Sequence, residues 1–370
     1  MSIGIVAEYN PFHKGHEYHI NKSREIAGNT PVIVVMSGDF VQRGDAAICD
    51  KFSRAEMALR CGADLVLELP IAYAMQSAEH FARGAVSILR AMDVDNISFG
   101  CECDDLSVLT EIAEILRTEP AWYKTALSEK LAKGLSFPTA RSRALGDFGK
   151  ILETPNNILA IEYLKMGAPN PIAIKRYGAE HDGQPAGDIA SASFIRSSLD
   201  YSFMPAAARG ILGREIALGK APNTLEPLEA AIIAFLRKTT PEYLMKIHDI
   251  SEGLENRIKQ WSSLGTLPAI LTAIKSKRYT HSRIRRVILN AFFGITTGDV
   301  VAPPMYIRLL GSTERGRAEL KKSALPIVTK AARAELSHTD VLATDIYSLL
   351  FKNPEYRVAG RDFTTSPVTI

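Results

Sequence analysis

The chain has 370 residues, 46% of them hydrophobic and 23% charged, with a formal net charge of +3. That length supports a full core and two domains, and no apolar run approaches the length a bilayer span needs. So small a net charge excludes a chain that is basic throughout, and any nucleic-acid surface must rest on where the charge lies.

The opening lacks a basic leader and a small-residue cleavage site, so a cytoplasmic location is expected. The run from Ile3 to Ala7 reads as a buried first strand, and Asn10-Pro11 as the turn that stops it. A helix is predicted from Lys14 to Ala27. A strand turning directly into a helix leaves free N–H groups and partial positive charge facing outward, which suits phosphate. Gly15 allows close approach of a ligand, and His13 and His16 would stand at the mouth of that anion site. Val32 to Met36 is a continuous apolar run typical of a parallel strand covered on both faces. A helix over 51–61, a strand over 64–70, a helix over 77–92 and a strand over 96–100 follow. This rhythm implies βαβ units in a doubly wound sheet, with ligands at the strands' carboxyl ends near the first strand's exit, Ser37-Gly38-Asp39 and Gly100.

Residues 105–148 read as helical, an insertion over the sheet, followed by a helix over 156–166 and a last strand over 171–176. Residues 183–188 read as a loop, and Ser191 opens a further helix. The chain is helical again over 225–295, with two short helices expected over 325–351 and an irregular tail after Gly360. Cys49, Cys61, Cys101 and Cys103 fit reduced thiols, Cys101-Glu102-Cys103 having the wrong spacing for a zinc knuckle, and no metal site is expected. In a helix from Thr280, Ile284, Val287, Ile288 and Ala291 form an apolar face. Arg283 and Arg286 would then point outward, with Tyr279 available to stack. The stretch Lys275 to Arg286 reads either as an ordinary solvated face or as a phosphate-binding patch.

His13-Lys14-Gly15-His16 resembles the HxGH signature of the HIGH nucleotidyltransferase superfamily. The longer string Val6-Ala7-Glu8-Tyr9-Asn10-Pro11-Phe12-His13-Lys14-Gly15-His16-Glu17-Tyr18-His19 resembles the bacterial tRNA(Met) cytidine acetate ligase family. Ser191-Ala192-Ser193-Phe194-Ile195-Arg196 is similar to the second superfamily motif, ISSTxIR, departing at Ala192 and by Ser193 in place of Thr. The resemblance implies an α/β fold: a Rossmann-like HIGH nucleotidyltransferase domain with a parallel sheet over 1–200, carrying the 105–150 insertion, then a mainly helical C-terminal tRNA-binding domain over 201–370. It implies an enzyme that makes acetyl-adenylate from ATP and acetate and acetylates the wobble cytidine of elongator tRNA(Met). His13 and His16 would be catalytic. The whole string from Val6 to His19, with Gly100, Asn156, Arg176, Ser191, Ser193 and Arg196, would bind ATP. Asp39, Gln42, Arg43, Lys51 and Arg54 are candidates for acetate, pyrophosphate or cytidine contacts, or else a solvated loop with its own ion pairs. Lys275, Lys277, Arg278, Arg283 and Arg286 would hold tRNA. Magnesium stays open, and no membrane or obligate protein partner is expected. The rival readings are a small-molecule adenylyltransferase and a non-catalytic RNA-binding protein with a remnant nucleotide site.

Overall fold

The computed structural model describes residues 1–103, 105–176, 185, 187–276, 279–330 and 336–370. Its strands are β1 (Ile3–Ala7), β2 (Val32–Ser37), β3 (Phe40–Val41), β4 (Asp45–Ala46), β5 (Leu65–Leu69), β6 (Asn96–Cys101), β7 (Ile172–Lys175), β8 (Ile307–Ser312), β9 (Ile327–Val328) and β10 (Val368–Thr369). Strands β3 and β4 form a hairpin; the other eight form one sheet of order β10-β8-β5-β2-β1-β6-β7, with β9 beside β8. From β5 to β7 all pairings are parallel.

Alternation along β2 explains why both faces must be covered. Ile33 and Val35 join Phe81, Leu109 and Ile161 on one side, whereas Val32, Val34 and Met36 join Ile20, Phe52 and Leu212 on the other. The layers are built by α1 (Lys14–Ile26), α2 (Lys51–Arg60), α3 (Ile71–Ala74), α4 (Ala78–Ala91), α5 (Leu106–Thr118), α6 (Ala121–Ala132), α7 (Phe137–Ala144), α8 (Pro155–Lys165), α9 (Ala192–Ser198) and α10 (Ala206–Ala217). After β1 the chain builds outward through β2 and β5, then returns to place β6 on the other side of β1. The β1–β6 boundary is therefore the topological switch point, where a crevice opens at the strands' carboxyl ends.

The second half forms its own apolar cluster from α11 (Glu229–Lys238), α12 (Pro241–Leu244), α13 (Leu254–Trp261), α14 (Leu267–Ile274), α15 (His281–Phe293), α16 (Thr297–Val301) and, beyond α17 (Glu314–Glu319), α18 (His338–Ser348). This segment was expected to be mainly helical, yet it also extends the sheet. Strand β8 lies antiparallel on β5 and carries β9 and β10. Two expectations are corrected here. Among the described residues the span 325–351, expected to hold two short helices, holds β9 and α18, with 331–335 outside the described residues, and the tail after Gly360 holds α19 (Arg361–Thr364) and β10. Among the described residues no helix is long and apolar enough to cross a membrane.

Candidate active site

One turn of backbone sets the two histidines. His13 is the N-cap of α1: its Nδ1 accepts from Gly15 N–H at 3.1 Å, while His16 Nδ1 accepts from His13 N–H at 3.2 Å. This is a capping box built from imidazoles instead of Ser and Glu. The rings stack with centroids 3.6 Å apart. Burial, with Arg176 and Arg196 nearby, lowers the pKa of His13 to about 3, and burial with His13 beside it lowers that of His16 as well. Both rings are therefore neutral. With each Nδ1 accepting a hydrogen bond, the ring proton must sit on Nε2, so each histidine offers a donor from its far edge. A Cβ on Gly15 would lie 2.9 Å from His13 Cε1, so the ring needs glycine beneath it. Tyr9 enters this turn at φ 47°, a region costly for a bulky side chain, and its ring packs against Phe12 and His16.

These groups face a cavity of about 690 Å³ at the switch point. It gathers Val6, Ala7, Glu8, Tyr9, Asn10, His13, Gly15, His16, Tyr18 and His19 from the opening segment, Gly100 from β6, and Asn156 from α8. Arg176, Ser191, Ser193 and Arg196 complete the expected set. Asn156 bridges Glu102 and Arg176, accepting from Arg176 Nη1 at 3.3 Å. Arg196 Nη1 donates to the Asn10 carbonyl, and Ser191 Oγ caps α9 by accepting from Phe194 N–H. Among the described residues an added Cβ at Gly100 would meet only Arg176 Cγ, at 3.6 Å. Four more members of the string stand outside the lining. Pro11 and Phe12 are buried beneath it, Lys14 pairs with Asp188 at 3.5 Å on the outer face, and Glu17 is half-buried.

The loop after β2 divides. Gln42 and Arg43 line the cavity, and Gln42 N–H donates to Glu8 Oε1 at 2.7 Å. Asp39, Lys51 and Arg54 do not, nor do Ser37 and Gly38. Arg54 is fully buried and donates to the carbonyls of Glu8, Ser37, Gly38 and Cys49, stitching two strand exits together. Asp39 receives Lys51 N–H at 2.8 Å. Lys51 Nζ sits 2.9 Å from Glu68, Asp362 and Thr344 in a sealed charge cluster. These three residues shape the site from within.

The basic stretch is also revised. Tyr279 is buried with the Arg283 guanidinium 5.2 Å over its ring, so it is not available to stack on a base. Arg283 pairs with Asp249 at 2.9 Å. Arg286, expected to face outward, lines the cavity with Ser282. Lys275 is exposed, while Lys277 and Arg278 lie outside the described residues.

Sequence reasoning missed the apolar wall of Phe81, Phe99, Ile158, Leu159, Tyr163 and Ile174, together with Ser77, Lys175 and Pro138. Phe99, Ile174 and Lys175 had closeness to strand ends as a signal; the others come from helices or a helix N-cap and had none. The cavity thus pairs an apolar wall with neutral donors and arginines, an arrangement suited to a base at one end and phosphates at the other. Among the described residues no group of three or more His, Cys, Asp or Glu could hold a metal ion.

The profile of a family described as HIGH Nucleotidyl Transferase matches residues 1–362. The chain is 44% identical to the tRNA(Met) cytidine acetate ligase of Syntrophomonas wolfei, covering 99% of each chain, and 43% identical to that of Thermoanaerobacter sp. strain X514, covering 98% of each. The crystal structure of Thermotoga maritima TmcAL in its apo form superposes with a TM-score of 0.94 at 38% identity, covering 100% of this chain and 99% of that one. The structure of the same protein bound with alpha-thio ATP gives 0.92 at 37%.

Proposed function

Because this chain belongs to the HIGH nucleotidyl transferase family, and within it to the tRNA(Met) cytidine acetate ligases, we propose that it acetylates N4 of the wobble cytidine of elongator tRNA(Met) through an acetyl-adenylate. The observation that carries the reading is the convergence of two neutral imidazole Nε2 donors with Arg176 and Arg196 on one cavity at the switch point. An acetate oxygen attacks the α-phosphorus of ATP, and the bond to pyrophosphate breaks. His13 and His16 donate to the phosphate oxygens as charge builds there, and preorganised donors of this kind usually make the largest catalytic contribution. The apolar wall holds the adenine, and holding acetate in line supplies further acceleration by proximity. The N4 amine then attacks the activated carbonyl, AMP departs, and the amine loses one proton, for which the departing phosphate is the adjacent acceptor. Any magnesium arrives chelated by the triphosphate, so its part is read by titrating it in the first half-reaction.

The test separates the two half-reactions. Acetate-dependent exchange of labelled pyrophosphate into ATP reports the first, and label from acetate entering tRNA reports the second. The ligase shows both. A small-molecule adenylyltransferase labels no RNA, and a remnant site does neither. His16→Ala lowers exchange by about 10²–10³-fold, the usual cost of removing one preorganised donor, with the fold retained by circular dichroism. Near-normal exchange in that variant removes His16 from the catalytic role.

A further inference from the structure

With Arg283 paired and Arg286 inside the cavity, α15 offers little free positive charge. A second concentration of positive charge lies elsewhere. Residues 121–150 hold six Lys or Arg against two acidic residues, a net +4, more than the +3 of the whole chain. Lys133, Arg143 and Lys150 are exposed and, among the described residues, make no ion pair. The same segment exposes Trp122 at 53% and Phe137 at 57%, two large aromatics standing singly amid that charge.

The segment is also fixed in place. Arg141 pairs with the buried Glu162 of α8 at 2.7 Å, Ser142 Oγ donates to the Gly149 carbonyl, and Tyr123 is buried beneath. Pro138, in the first turn of α7 and next to Phe137, lines the catalytic cavity; Ser282 and Arg286 of α15 line it too. Phe137 is thus an exposed aromatic directly preceding a residue that lines the cavity.

We propose that the α6–α7 insertion is the surface on which the RNA docks, Phe137 stacking a nucleotide next to the one in the cavity and Lys133, Arg143 and Lys150 contacting phosphates. This rests on the tRNA reading above. Single-stranded loops are held by aromatic stacking together with backbone charge, and this face carries both. A protein partner would need contiguous apolar area, which two separate aromatics do not supply.

The experiment measures tRNA affinity against salt by filter binding, and both half-reactions, for wild type, K133E/R143E and F137A. The double reversal weakens tRNA binding at least tenfold and lowers the log–log salt slope by about 1.5, two contacts' worth. Its acetate-dependent pyrophosphate exchange stays within twofold of wild type. F137A lowers tRNA acetylation about tenfold and leaves salt slope and exchange unchanged. Wild-type tRNA affinity and slope in K133E/R143E overturn the proposal, as does unimpaired acetylation in F137A. A wild-type protein that binds no tRNA overturns the RNA reading itself, a result distinct from wild-type binding that the variants leave intact.

Discussion

His13 closes the first turn of α1 with one ring nitrogen and offers the other to the cavity, so one side chain both caps the helix and presents a hydrogen-bond donor to the cavity. The arrangement needs a neutral ring, and burial supplies it. The same burial makes stability depend on pH. His19, whose Nε2 lies 3.0 Å from Ser98 Oγ, is lowered by burial from 6.5 to about 4, and His13 to about 3. Between those values and 6.5 the unfolded chain binds protons that the folded protein does not. Stability therefore holds above pH 6.5 and falls as the pH drops towards 4, by on the order of 3 kcal/mol for His19. Urea midpoints recorded from pH 7.5 to 4 show the decline, and His19→Gln flattens it; a variant curve parallel to wild type contradicts the assignment. His13 and His16 were legible as residues, but their tautomer was not, because it depends on backbone N–H groups that only the folded turn brings to Nδ1.

Elements meet here through glycines where backbones touch. Gly316 of α17 lies so close to the start of β5 that a Cβ would overlap the Asp64 carbonyl, and Thr313 N–H donates to that same oxygen at 2.9 Å. Gly316→Ala is expected to lower stability by about 1–3 kcal/mol, the range for overpacking against a group that cannot give way, read from the denaturant midpoint with an unchanged m-value. A wild-type midpoint would show that α17 can lift off the sheet. In the β3–β4 hairpin, Gly44 sits at φ 70° against the backbone of Arg286, and Arg285 pairs with Asp45 at 3.2 Å, so α15 is held to the cavity rim. Strands β2 and β5 were readable because burial on both faces writes apolar-rich runs, and β1, β6 and β7 because short apolar stretches recur at the strand–helix rhythm. Strand β8 was not, because Arg308 and Gly311 interrupt its pattern. Each has a tertiary reason: Arg308 Nη2 donates to the Asp362 carbonyl at 3.0 Å, and at Gly311 a Cβ would press on Leu59 and Val368. Strands β9 and β10, two residues each, leave no periodicity to find.

Across the whole molecule, the sealed cluster around Lys51 ties three distant parts of the chain together: α2 through Lys51, β5 through Glu68 and α19 through Asp362. Arg361 repeats the tie, pairing with Asp50 at 2.8 Å. Lys51→Met would leave the buried Glu68 carboxylate without its cation and Asp362 with Arg308 alone. The expected loss is about 3–5 kcal/mol, the cost of breaking a buried pair from one side, measured by urea denaturation. A loss under 1 kcal/mol would mean that water reaches the cluster. From the sequence Lys51 and Arg54 read either as ligand contacts or as part of a solvated loop with its own ion pairs, because a charged residue after a strand exit reads the same whether it meets solvent, a nearby backbone carbonyl as Arg54 does, or a partner 311 residues away as Lys51 does. The cavity-lining motifs were legible because they are local; the apolar wall and the charge cluster were not, because they are assembled from remote segments. The pairing of β5 with β8 carries a consequence for biosynthesis. Strand β5 ends at residue 69 and its antiparallel neighbour begins at residue 307. At common elongation rates of about 5–20 residues per second, the edge of β5 waits roughly 10–50 s on the ribosome for its cover, an interval in which a nascent chain with an open, apolar strand is a natural client for a holding chaperone.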